Sequence, residues 1–181
     1  METPFKDEKV LIKACIKEHR KAQRYLYDSY RVAMFRVCLR YAPSKEVAED
    51  LLQEGFYSVF KDIHQFRGDG ALGGWIHKVM VRTALTYLRK NAKNIWQEDL
   101  NIDHQYDGES YIIADLGASH IMRLLQTLPP GYRAIFNLYA IEGYSHQEIG
   151  ELLNITESTS RSQYVRARQF LQKMLQKESI S

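Results

Sequence analysis

The sequence predicts an all-α protein of two small helical modules joined by an acidic linker, the second module carrying a helix-turn-helix of winged-helix-like type. Three observations predict it. Apolar residues recur at helical spacing along most of the 181 residues, while glycine and proline number only 10 and 4, a composition that favours long helices and brief loops. Charge is partitioned along the chain. Residues 1–90 hold 17 Lys+Arg against 11 Asp+Glu, residues 91–118 hold one base against six acids, and residues 119–181 hold seven bases against five acids. The net charge of +3 conceals two basic blocks around an acidic bridge, a pattern that suits nucleic-acid contacts on two separate modules. Finally, residues 144–157 read without interruption as helix, tight turn and new helix.

The first module is expected over residues 10–93. Leu26, Tyr30, Ala33 and Val37 fall on one helical stripe. That helix should stop near Tyr41–Ala42–Pro43, because the residue before a proline is pushed out of the helical region. Ser44 is placed to cap the next helix and Glu46 to favour its first turn. Val47, Leu51, Leu52, Phe56, Val59 and Phe60 form its apolar face, with Asp50, Gln53 and Glu54 on the other side. Four glycines between Gly68 and Gly74 predict a break. A helix resumes at Trp75 with Ile76, Val79, Met80, Thr83, Ala84, Tyr87 and Leu88, and it carries the cations Lys78, Arg82, Arg89, Lys90 and Lys93 with no acid among them. Residues 94–117 have no sustained periodicity and read as the flexible acidic linker.

The second module is expected over residues 118–178. Ile121, Leu124, Leu125 and Leu128 form a stripe that ends at Pro129–Pro130–Gly131, and a further helix should run from Tyr132 to Ile141. Ser145 with Glu148 forms a capping box. Ile149, Leu152 and Leu153 supply a buried side, Gly150 is small where another helix must pack, and Asn154 suits the left-handed residue that ends a helix. Ile155 plugs the turn, and Thr156 caps a last helix with Glu157 in its first turn. On that helix Ser158, Thr159, Arg161, Ser162 and Gln163 would face the major groove, since arginine can bond guanine and glutamine adenine in bidentate fashion. Arg166 and Arg168 lie further along and are placed for phosphates. His146 reads as an exposed member of the capping segment.

Other classes find little support. No apolar run approaches the roughly 20 residues of a membrane span, and the polar start Met1–Val10 is unlike a secretory signal. Cys15 and Cys38 lack metal-ligand spacing and read as buried thiols of a cytoplasmic protein. No Gly-rich phosphate loop, metal-ligand spacing or triad-like signature points to an enzyme, and no cofactor is implied.

These segments together resemble the extracytoplasmic-function (ECF) group of bacterial sigma factors, within the sigma-70 superfamily, over about residues 20–178. In the first module the resemblance is carried by Leu26–Tyr30, by Ala48–Phe56, by Phe66–Arg67–Gly68, by Trp75–Val79 and by Tyr87–Lys90. In the second it is carried by Leu128–Arg133, Glu142–Ile149 and Arg166–Ala167–Arg168. The resemblance implies that the protein binds core RNA polymerase, directs it to promoters and helps to open them. Asp50, Gln53, Glu54 and Phe56 would dock on the clamp helices of the largest polymerase subunit. Phe66, Arg67, Trp75, Lys78, Arg82, Arg89 and Lys90 would open the −10 element and hold its unpaired strand, as aromatic stacking beside a cationic track does for single strands. The helix-turn-helix would read the −35 element in duplex DNA. The resemblance also brings an anti-sigma protein into view as a partner. Arg82 and Thr86 stand where many members carry Asn and Asp, Gly150 where Ala is commoner, and Gln163 and Tyr164 where Arg and Leu are frequent.

Two residues keep a second reading open: Trp75 shares a stripe with Val79 and Phe66 sits at a helix exit, so both suit core packing as well as DNA contact. Arg89, Lys90 and Lys93 also suit a solvated helix end. A DNA-binding repressor or activator that dimerises on a palindrome would share the helix-turn-helix while lacking polymerase affinity. The segments Asp50–Phe56 and Phe66–Trp75 favour the sigma reading over it.

Overall fold

The computed structural model describes residues 4–92 and 120–178, so the linker expected at 94–117 lies outside the described residues. The chain divides into two compact units, Met1–Leu39 with Glu46–Ala84, and Arg40–Lys45 with Leu85–Ser181. Among the described residues every regular element is helical, and the helix-turn-helix stands there without a β wing.

The first unit is built on α1 (Glu8–Ile16), on α2 (Arg20–Tyr41) up to Leu39, on α3 (Lys45–Asp62) from Glu46, and on α4 (Leu72–Lys90) up to Ala84. Asp7 caps α1 by accepting from the backbone N–H groups of Lys9 and Val10 at 2.8 and 3.3 Å. Helix α2 ends at Tyr41, as the approach to Pro43 predicts. Its buried stripe runs through Ala22, Leu26, Met34, Val37 and Cys38. Of the stripe expected from sequence, Ala33 is instead exposed and Tyr30 half-buried. Helix α3 buries Ala48, Leu51, Leu52, Gly55, Phe56 and Val59. A Cβ at Gly55 would fall 2.2 Å from Sδ of Met80, so α3 and α4 approach closely there.

Helix α4 starts at Leu72 rather than at Trp75, with Gly73 and Gly74 inside its first turn. Each glycine costs a helix about 1 kcal/mol. Leu72 is fully buried, and burial of a leucine contributes about 1.5–3 kcal/mol, which offsets that cost. Gly73 also clears a neighbour, since a Cβ there would lie 3.0 Å from the Tyr30 ring.

One site assignment is corrected here. Phe56, expected at the polymerase surface, is 3% exposed and packs its ring 4.7 Å from Tyr27 and 6.1 Å from Phe60. It belongs to the core because the helical period that exposes Gln53 and Glu54 turns residue 56 inward. Phe56→Ala is expected to destabilise the unit by about 3–5 kcal/mol, read from chemical denaturation. A loss below about 1 kcal/mol would contradict this packing.

The second unit holds α5 (His120–Gln126), α6 (Pro130–Phe136), a π-helical continuation over Asn137–Ile141, α7 (His146–Leu153) and α8 (Glu157–Glu178). Helix α6 begins two residues before the position expected from sequence, with Pro130 in its first turn, where the missing N–H has no helical partner to lose. Leu125, Leu128, Tyr132 and Ala167 form a core against which Met122, Phe136, Phe170 and Leu171 pack. Helix α8 lies against both α6 and α7. The π-helical stretch was not foreseen. Its wider turn inserts an extra residue into the helix, and Tyr139 within it comes to lie over α7.

Candidate nucleic-acid interface

The helix-turn-helix is assembled from local chemistry. The backbone N–H of Ser145 donates to Oε2 of Glu148 at 2.7 Å, and the Glu148 N–H donates to Oγ of Ser145 at 3.2 Å. The backbone and hydroxyl donors of Ser145 hold the Glu148 carboxyl below the usual carboxylate range. Helix α7 ends on Asn154 in the left-handed region, φ 57 and ψ 47. A Cβ at Gly150 would meet the carbonyl oxygen of Ile155 at 2.8 Å. The turn therefore closes main chain against main chain at a position that admits only glycine without movement. Thr156 then caps α8, its Oγ1 accepting from the Thr159 N–H at 3.0 Å.

Helix α8 separates its residues by face. Ser160 and Ala167 are fully buried, while Ser158, Arg161, Ser162, Arg166 and Arg168 are exposed and Thr159 half-exposed. Arg161 is not idle: it pairs with Glu157 one turn earlier, its Nε donating at 3.1 Å. Gln163 lies on the flank, half-buried, with Oε1 buried and without a hydrogen-bond partner among the described residues. His146 corrects an expectation: instead of being exposed it is 8% exposed. Its Nδ1 lies 2.9 Å from Oγ of Ser160, and its ring stacks on Tyr139. Both partners are remote in sequence, so the capping segment alone gave no sign of them.

In the first unit, Gln65–Ala71 and the start of α4 enclose a cavity of about 360 Å³ lined by Phe66, Arg67, Asp69, Trp75 and Lys78 among others. Gly68, at φ +81, turns the loop over it. Phe66 and Trp75 are both half-buried, with ring centroids 5.8 Å apart at 54°. Each is thus partly packed and partly presented to the cavity, so neither of their two sequence readings holds alone. Lys78, Arg82 and Arg89 follow Trp75 on the same exposed side of α4, and Lys90 is exposed beside them. Aromatic edges at one end of a cationic track can hold an unstacked base and the phosphates of its strand.

On α3, Asp50, Gln53 and Glu54 are exposed, as expected. Sequence reasoning missed Tyr57, which is 71% exposed and lies seven residues after Asp50 and four after Gln53, at the centre of their face. Helical spacing alone would have found it. Among the described residues no group of His, Cys, Asp and Glu could hold a metal ion, and no helix is long and apolar enough to cross a membrane.

Two family models match the chain: Sigma-70 region 2 over residues 26–94 and Sigma-70, region 4 over residues 120–171. The ECF RNA polymerase sigma factor SigE of Mycolicibacterium smegmatis is 32% identical, the alignment covering 81% of this chain and 58% of that protein. The ECF RNA polymerase sigma-E factor of Escherichia coli K12 is 25% identical, with 93% of this chain and 94% of that one covered. The chain thus spans little more than half of the first relative and nearly all of the second. A solved structure, the sigma factor RpoE in complex with the anti-sigma factor NepR from Bartonella quintana, is similar with a TM-score of 0.47 and 18% identity, covering 85% of this chain and 98% of that one.

Proposed function

The chain belongs to the sigma-70 family, in its extracytoplasmic-function group, and from that premise we infer that it binds core RNA polymerase, directs it to specific promoters and helps to open the DNA for initiation. The observation that carries this reading is the presence on one chain of region 2, with its aromatic cavity and cationic track, and region 4, with its exposed reading helix. Such a protein acts by recruitment and strand capture rather than by catalysing a reaction, works where the polymerase works, in the cytoplasm, and uses no cofactor.

The proposed sites follow the geometry. Asp50, Gln53, Glu54 and Tyr57 form the docking face for polymerase. Phe66, Arg67, Trp75, Lys78, Arg82, Arg89 and Lys90 capture the −10 strand. Ser158, Thr159, Arg161 and Ser162 read the −35 duplex, Gln163 stands at the edge of that face with its Oε1 buried, and Arg166 and Arg168 hold phosphates. A further partner proposed from the family resemblance is an anti-sigma protein. The test is reconstitution: the purified chain is added to core polymerase and transcription is mapped on genomic fragments. Start-site-specific transcripts support the reading. DNA binding without polymerase binding would point to a regulator instead.

Arg161→Ala combined with Arg166→Ala is expected to weaken −35 duplex binding and to reduce the slope of log affinity against log salt by about 1, since Arg166 is the phosphate contact of the two and each such contact contributes about 0.9. Titration of the duplex at several salt concentrations measures both, and an unchanged slope would remove Arg166 from the phosphate contacts.

A further inference from the structure

Two polar side chains meet inside the helix-turn-helix where apolar packing would be simpler. Ser160 is fully buried on α8, and His146, the first residue of α7, is 8% exposed. Their Nδ1 and Oγ atoms lie 2.9 Å apart. The imidazole packs against two tyrosines that lie together on one side of it. Tyr139 from the π-helical segment stacks on it with centroids 4.2 Å apart and planes 9° apart, and Tyr164 from α8 packs at 5.7 Å and 58°. Tyr139 and Tyr164 also touch one another at 4.6 Å. The ring plane is therefore fixed, and with it the direction in which Nδ1 meets Ser160.

We infer that His146 is a positioning residue for reading of the −35 element: through its buried hydrogen bond to Ser160 it sets the rotation of α8 about its own axis. The inference rests on the sigma reading of this helix-turn-helix. Its physical basis is the difference between the contacts that α8 makes. Ala167 and the apolar residues around it hold the helix against its neighbours, but packing of small residues tolerates a slight roll. A hydrogen bond does not, because it weakens steeply with angle and its distance window is a few tenths of an ångström. A roll of about 20° carries the rim of a helix by about 2 Å, enough to take Arg161 and Ser162 out of register with base edges. Ser160 immediately precedes both, so the bond acts next to the reading residues.

The Ser160 hydroxyl can donate to Nδ1 or accept from it, so either tautomer makes this bond. Burial lowers the His146 pKa, the Arg161 guanidinium lowers it further, and Glu157 opposes them. Tyr139 and Tyr164 are the other titratable groups that face the ring. The ring therefore stays neutral to a lower pH than a free imidazole does.

The test uses the full chain in holoenzyme with core polymerase, on a promoter fragment recovered by the wild-type protein and randomised in its −35 element. The readout is preference, the ratio of cognate to randomised binding, beside the melting temperature of each variant. Ser160→Ala and His146→Leu are expected to lower the preference roughly tenfold, the worth of about one good base contact, while binding to random duplex stays within about twofold. His146→Asn, whose amide can occupy the place of Nδ1, is expected to restore most of it. A lowered melting temperature with unchanged preference in Ser160→Ala and His146→Leu would reduce the pair to ordinary packing and overturn the inference. If the wild-type protein itself shows no preference at the −35 element, the reading of the helix-turn-helix fails and the inference falls with it, an outcome distinct from the previous one.

Discussion

Asp50→Lys combined with Tyr57→Ala is expected to lower affinity for core polymerase about a thousandfold. Both side chains are exposed on α3 and lie seven residues apart on one face with Gln53 and Glu54 between them. An exposed tyrosine ringed by polar groups has the character of an interface anchor, and truncating such an anchor costs about 2 kcal/mol or more. Reversing a neighbouring charge opposite a complementary surface adds a penalty of similar order. Neither residue supports the core, which α3 builds from the opposite face through Leu51, Leu52, Phe56 and Val59, so the melting temperature should stay within a degree or two of wild type. Competition for core polymerase against a labelled wild-type chain measures the effect. An affinity within threefold of wild type would place the docking face elsewhere on the first unit.

Phe66→Ala with Trp75→Ala is expected to abolish most promoter opening while leaving −35 duplex binding unchanged. The two rings flank the cavity above α4, and stacking of a base on an aromatic side chain is worth about 1–3 kcal/mol. Loss of both should reduce binding of a single-stranded −10 oligonucleotide at least tenfold. The cationic residues Lys78, Arg82 and Arg89 remain in place, so the surviving affinity should keep its dependence on salt. Permanganate footprinting of unpaired thymines, beside oligonucleotide binding, reads both effects. Normal opening in the double variant would show that the rings serve packing alone.

What could be read from the sequence was what neighbouring residues decide among themselves. The Ser145–Glu148 capping box, the left-handed Asn154 and the Thr156 cap were all legible because each is a contact across two to five residues. The exposed side of α4 followed from helical period in the same way. Two failures ran against the helical period itself, and the others came where tertiary context ruled. Phe56 was carried outward with a matching motif, although its own period points it at Tyr27. Tyr57 was passed over for the same reason. The glycines at 73 and 74 signalled a break, yet burial of Leu72 draws the helix back across them. His146 could not be placed from its neighbours, because Ser160 and Tyr139 belong to other elements. The π-helical stretch left no pattern to recognise.

The closure at Gly150 bears on how such proteins can diverge. A main-chain oxygen stands 2.8 Å from where a Cβ at residue 150 would sit, so the close approach of α7 to the turn depends on that glycine and not on the exposed face of α8. Ser158, Arg161 and Ser162, proposed above as the reading positions, are exposed. Surface exchanges of this kind usually change stability by no more than about 0.5 kcal/mol. Duplicated copies of the gene could therefore drift to new promoters one exposed residue at a time, each intermediate folding as its parent did.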